Sequence, residues 1–283
     1  MSSKMKIVFN LSVVVLSFIG VYYLQFNFDQ LRIKHIKSFK ISTNELLEPA
    51  IPSEDSIKKL TFGQNTLIAD LLWLQTIQYY GSGDPYGKYR QLPKLINAIT
   101  TIDPKFTYPY SFAGLILPNE GFVDEALEIL SNGEQNLPQN WEIPYSKGTI
   151  LYINKKDYKS AAASYSNASN KPGAPDKTKF LSAVQYDRGE NYQTAMQIFQ
   201  NLADKSDNQY FKDRAKLFVD HYLLLDSLEK VCKTFKDKEG RYPRTLNELV
   251  QKKVVNEIPA DPLGREIKYD SGTGKVNANL EKK

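Results

Sequence analysis

The hydrophobic pattern of the chain begins with an uncharged run. Residues 7–28, IVFNLSVVVLSFIGVYYLQFNF, contain no Asp, Glu, Lys or Arg. A helix over that run is about 33 Å long, against about 30 Å for a hydrocarbon core. Tyr22, Tyr23, Phe26 and Phe28 gather at its far end, where an interfacial aromatic belt would sit. The pattern predicts a transmembrane anchor over 1–28. Lys4 and Lys6 precede it, but its exit, Leu24-Gln25-Phe26-Asn27, offers no small-x-small cleavage site, and no cysteine follows directly. An uncleaved anchor is therefore expected in place of a signal peptide or lipoprotein. Residues 29–55 read as a polar connector with Pro49 and Pro52. A helix is expected to start near Ser53, with Glu54 and Asp55 favourable at its positive end. An apolar helix over Thr66 to Tyr80 follows; Gly81 stops it, and GSGDPYG is turn chemistry.

Beyond this loop the pattern repeats. Tyr110 and Gly114 are followed by Ala126, Leu130 and Pro138. Asp157 and Tyr158 are followed by Ala161, Tyr165, Ala168 and Pro172. Asn191 and Tyr192 are followed by Ala195 and Phe199. Ala126, Ala161 and Ala195 are 35 and 34 positions apart, and a less regular unit runs from Trp73 to Asp103-Pro104. Each unit reads as two antiparallel helices. Small residues sit where helices approach, large ones fill the gap to the next hairpin, and proline ends the second helix. Such hairpins cannot bury their apolar faces alone and must stack.

The segments EGFVDEALEILSNGEQNLP, KKDYKSAAASYSNASNKP and GENYQTAMQIF are similar to the second helix of a tetratricopeptide repeat. Residues 56–205 thus resemble an array of such repeats, which implies an α-solenoid. The first helices depart from the family pattern. Its tryptophan position is Tyr110 in one unit and Lys179 in another, and the first unit has a long loop, Gly81 to Lys88.

A helix over 209–237 places Phe218, Tyr222, Leu225 and Leu228 on one face. Residues 206–240 are therefore expected to cap the array. Residues 241–283 change character: Tyr242-Pro243, a short helix through Leu246, Leu249 and Val250, the turn Asp261-Pro262-Leu263-Gly264, then a hairpin from Glu266 to Tyr269 and Lys275 to Asn277. This resembles the C-terminal part of type II secretion major pseudopilins. The prepilin-peptidase site that a pseudopilin needs is not matched, because Gly20 is followed by VYYLQ without the required Glu. The fold class expected is mainly α: a tetratricopeptide-like solenoid behind one transmembrane helix, with a small α+β C-terminal module.

Composition narrows the chemistry. Hydrophobic residues at 41% and charged residues at 24% suit a folded chain. The net charge of +5 is spread along the sequence, whereas nucleic-acid binding needs a basic stripe, so none is expected. A single cysteine, Cys232, and two histidines, His35 and His221, leave no zinc-site spacing. His221 lies in an apolar helical run and reads as structural. Asp124, Glu125, Glu128 and Glu134 fall on an expected exposed helix face, where solvated charge is the simplest reading. Gly272 and Gly274 belong to a hairpin turn and form no phosphate loop. Asp261 and Asp270 fall short of a calcium cluster. No catalysis, metal or cofactor is expected.

The expected function is a membrane-anchored scaffold for protein partners, with a groove lined by first helices. Its candidate contact residues, by repeat position, are Tyr108, Ser111, Leu115, Phe180, Val184 and Asp187. No basic clamp for a C-terminal carboxylate is evident. Tyr79, Tyr80, Tyr86, Tyr89, Tyr108 and Tyr110 form either an aromatic contact patch or packing between repeats. The expected setting is assembly of a bacterial cell envelope, in a secretion or pilus-type system. The body is expected outside the cytoplasm and anchored in the inner membrane. Lys4 and Lys6 favour that orientation, and Arg32, Lys34, Lys37 and Lys40 oppose it. Alternatives are a small-ligand-binding protein using the same groove, or a non-catalytic subunit of an envelope enzyme complex.

Overall fold

The computed structural model describes residues 19–23, 25–27, 51, 63–81 and 89–278. The chain divides into two compact units, Met1–Ala50 and Ile51–Lys283. In the first unit the described residues are helical, and Ile19, Val21, Tyr22, Tyr23 and Phe26 are exposed. Among the described residues no helix is long and apolar enough to cross a membrane. Most of the expected anchor lies outside them. So do the connector 29–55 apart from Ile51, the helix start at Ser53, and Tyr86.

The second unit is mainly helical. Its elements are α1 (Asn65–Gly81), α2 (Leu92–Ile102), α3 (Thr107–Ile116), α4 (Val123–Asn136), α5 (Glu142–Ile150), α6 (Tyr158–Ser169), α7 (Asp176–Arg188), α8 (Tyr192–Lys205), α9 (Gln209–Glu239) and α10 (Leu246–Gln251). A short antiparallel ladder of β1 (Lys268–Tyr269) and β2 (Val276–Asn277) follows, with Lys268 opposite Asn277 and Tyr269 opposite Val276. Each helix from α1 to α9 packs on the next, and α2 on α4, α3 on α5 and α7 on α9.

The repeated alanines explain the stacking. Ala126, Ala161 and Ala195 are each fully buried, one early in each of α4, α6 and α8. Glycines make the close approaches between helices, two of them against tyrosine. A Cβ on Gly133 would lie 2.7 Å from the Tyr110 ring, and one on Gly148 would lie 3.1 Å from Tyr165. A Cβ on Gly114 would meet Ser146 of the next hairpin at 2.8 Å. A core from α2 to α5 holds Leu92, Ile96, Tyr110, Ala126, Leu130 and Ile143, and a second holds Ala183, Phe199, Phe218 and Tyr222 of α7–α9.

The turns inside the hairpins recur as regularly as the alanines. Gly121, Lys156 and Glu190 adopt positive φ of 91°, 55° and 62°, each just before a second helix. The next residue caps that helix in two cases: Asp157 accepts from Ser160 N–H at 2.9 Å, and Asn191 from Thr194 N–H at 3.3 Å. In two turns the chain closes with a bond five positions back, Phe122 N–H to Leu117 and Asn191 N–H to Tyr186. In the middle turn Asp157 N–H reaches six back, to Leu151. The additional residue is taken up by a π-helical turn, Leu151–Lys155, at the end of α5. This accounts for the uneven spacing of the alanines.

α9 ends at Gly240, whose φ of +74° gives a left-handed helix stop. Against its last turns sits the C-terminal module, built around Cys232, Phe235 and Leu249. Gly274, with φ +74°, lies under the Tyr242 ring, which a Cβ would approach to 2.3 Å. Only glycine fits there.

Candidate partner-binding site

The first helices contribute two exposed stripes. On α3, Tyr110 and Ala113, with Leu117 at its C-cap, face inward, toward the core shared with α4. On the opposite side Tyr108, Ser111 and Leu115 are exposed, Tyr108 by 69% and Leu115 by 68%, with the Tyr108 ring edge-on to Phe106 at 6.2 Å. On α1, Ala69 and Leu72 pack against Ala98, Ile99 and Ile102 of α2. At 100° per residue, Leu67, Leu71 and Leu74 fall on the far side, and all three are more than half exposed. α1 and α3 are joined by an aromatic seam: Trp73 meets Phe112 edge-on at 5.3 Å and Phe106 at 5.9 Å, and Tyr80 meets Phe112 at 5.5 Å. Asp70 is the sole charged residue in the two helices.

Of the tyrosines expected either to pack or to bind, Tyr79, Tyr80, Tyr89 and Tyr110 pack. Tyr110 is fully buried, and its hydroxyl donates to Pro104 O at 3.1 Å. Burial pushes that hydroxyl above its ordinary range. Tyr79 and Tyr80 pack on Tyr89, at 5.6 and 4.9 Å. Tyr108 is exposed.

The other three expected contact residues occupy a different environment. Phe180 packs on Phe199, Phe211 and Phe218, at 5.5, 5.6 and 5.7 Å. Val184 joins the same cluster, as does Leu263 from the C-terminal segment. Asp187 is buried. It accepts from the Tyr222 hydroxyl at 2.6 Å and from Arg265 Nη2 at 2.9 Å. Burial, and next the Asp187 charge, drive the Tyr222 hydroxyl far above its usual range. The six residues therefore do not share one open groove: Tyr108, Ser111 and Leu115 are exposed, while the chain's own α9 and C-terminal segment pack on Phe180, Val184 and Asp187.

His221 completes this buried network. Its Nδ1 pairs with Asp261 Oδ1, and its Nε2 faces Arg265 Nη1 at 3.4 Å. The other Asp261 oxygen accepts from Arg265 N–H at 2.8 Å, and the Arg265 guanidinium lies 5.5 Å over the Phe218 ring. This ties the C-terminal turn to α7 and α9. Asp270 caps its own hairpin turn, accepting from Gly272 N–H at 2.9 Å and Thr273 Oγ1 at 2.7 Å. The Thr273 bond holds its carboxyl below the usual range. Among the described residues no group of three or more His, Cys, Asp or Glu is placed to hold a metal. Of the helical carboxylates, Asp124 pairs with Lys155 at 2.6 Å and Glu134 with Lys147 at 2.9 Å.

The α1 stripe was not among the residues expected from the sequence. Its signal was present: α1 is apolar around most of its circumference, and a helix of that kind with neighbours on one side leaves apolar surface on the other. No family model matches the chain, and no curated protein matches it.

Proposed function

We propose that the chain is a membrane-anchored scaffold of tetratricopeptide type that docks a protein partner on the exposed faces of α1 and α3. The observation that carries this reading is the pair of exposed, uncharged stripes, Leu67, Leu71 and Leu74 on α1 and Tyr108 and Leu115 on α3, on two helices that meet through Trp73 and Phe112. Surfaces of this kind take the apolar face of an amphipathic helix. The 34–35-residue recurrence of buried alanines and left-handed turns supports the repeat assignment. The uncharged run 7–28 supports the anchor. The C-terminal likeness to pseudopilins supports a setting in envelope assembly, with the body outside the cytoplasm.

The test is site-specific photocrosslinking in native membranes. A photoreactive residue at Leu71 or Leu115 is expected to capture a discrete protein adduct, and one at Glu128 on α4 is not. Combining Leu71→Asp with Leu115→Asp should lower adduct yield at Tyr108 by about tenfold or more. The melting temperature should stay nearly unchanged, because both side chains are exposed. Equal capture from α3 and α4, or capture indifferent to the double substitution, would refute the reading.

A further inference from the structure

The C-terminal module has its own small core on the last turns of α9, yet the chain leaves that core and comes back to it. After α10 it runs largely exposed from Gln251 to Ala260. It then places Asp261 against His221, fourteen positions back along α9 from Phe235, or about 21 Å at 1.5 Å per residue. By Tyr269 it has rejoined the core beside Cys232 and Phe235. The part that reaches back is a tight turn: Gly264 N–H donates to Asp261 O at 2.9 Å, and Gly264 has φ +69°.

What holds the turn is charge recognition more than apolar filling. Arg265 and Asp187 side chains are only 7% and 4% exposed, and those of His221 and Asp261 are 2% and 0%. Buried ion pairs cost desolvation that apolar contacts of the same size avoid. What they supply is discrimination, since a segment without the matching groups leaves His221 without its carboxylate and Asp187 with the Tyr222 hydroxyl alone. The turn also bonds Asp187 and adds Leu263 to the cluster that Phe180 and Val184 join, the three positions expected by repeat position to meet a partner.

We infer that the α7–α9 face is a peptide-recognition seat and that the Asp261–Arg265 turn is its ligand in cis. The seat reads a tight turn that carries an aspartate, an aliphatic residue two positions on, and an arginine two further. Asp187 and the Phe218 ring receive the arginine, and His221 receives the aspartate. A turn of the same chemistry on another protein competes for the seat. This inference is independent of the α1–α3 face and stands or falls separately from it.

The test uses the full chain and a fluorescent peptide of residues 257–268. Wild-type chain, its seat filled, is expected to take up little peptide. A chain carrying Arg265→Gln with Asp261→Asn, whose own turn is weakened, should bind the peptide at least about tenfold more tightly. Within the peptide, Arg265→Lys loses the planar fork and should bind about tenfold more weakly. A second arrangement covers misfolding of the variant. A protease site inserted after Lys253 in the exposed turn is cut in otherwise wild-type chain, and the same peptide should displace the freed fragment from the seat. Equal uptake by wild type and variant, no uptake by either together with no displacement from cut chain, or indifference to Arg265→Lys would each overturn the inference.

Discussion

At the residue scale, most of the informative positions carry backbone or hydrogen-bond geometry, and apolar bulk matters less. Gly121, Lys156 and Glu190 occupy equivalent left-handed turns, but only the first is glycine. A non-glycine residue in that region carries a steric cost of roughly 1–2 kcal/mol, partly offset by glycine's larger entropy loss. Glu190 is exposed, so Glu190→Gly is expected to stabilise the fold by about 0.5–1 kcal/mol, read from urea unfolding with an unchanged m-value. Glu248 makes a different prediction. Its carboxylate accepts from Arg241 at 2.6 Å and from Arg244 N–H at 2.7 Å. These bonds hold its carboxyl down at about 2, against 4.5 ordinarily. A folded-state value below the unfolded one means stability that is fully present above pH 4.5 and is lost as pH falls through 2. The gap in melting temperature between wild type and Glu248→Gln should therefore be widest near pH 6 and shrink steadily between pH 4.5 and 2.

At the scale of elements, the helical hairpins were legible from sequence because two kinds of position repeat: the buried alanines and the capping residues Asp157 and Asn191. α9 was legible from one apolar face, although its end at Glu239 lies two residues past the expected one. The uneven 35-residue step was visible too, but its cause was not, because a π-helical turn leaves no residue signature. Its extra residue predicts an outcome. Deleting Asn154, which is exposed, lets the Asp157 amide close five positions back as in the other two turns. Calorimetry should find the melting temperature lowered by only a few degrees, the shift of about 1 kcal/mol in a domain this size. Deleting Ser131 from the middle of α4 instead rotates every later side chain by about 100° and should abolish the cooperative transition.

At the scale of the molecule, the parts of the candidate site that sequence identified are those set by local helix geometry. Tyr108, Ser111 and Leu115 follow from the face of α3 opposite its buried stripe. Phe180, Val184 and Asp187 follow the same logic, yet a turn 78 positions away in sequence, carrying Arg265, bonds Asp187. No periodicity within the repeats encodes that contact. Leu67, Leu71 and Leu74 escaped notice because α1 lacks the polar face that marks an ordinary surface helix.

The scarcity of charge on α1 and α3 has a consequence for how anything arrives there. With Asp70 as the single ionised side chain of the two helices, these faces add little long-range pull of their own on a partner. Encounter then proceeds at the unsteered pace of about 10⁵–10⁶ M⁻¹s⁻¹, and raising the salt concentration leaves it nearly unchanged. On the anchored reading proposed above, confinement to a membrane, more than long-range attraction, would set how often the two meet.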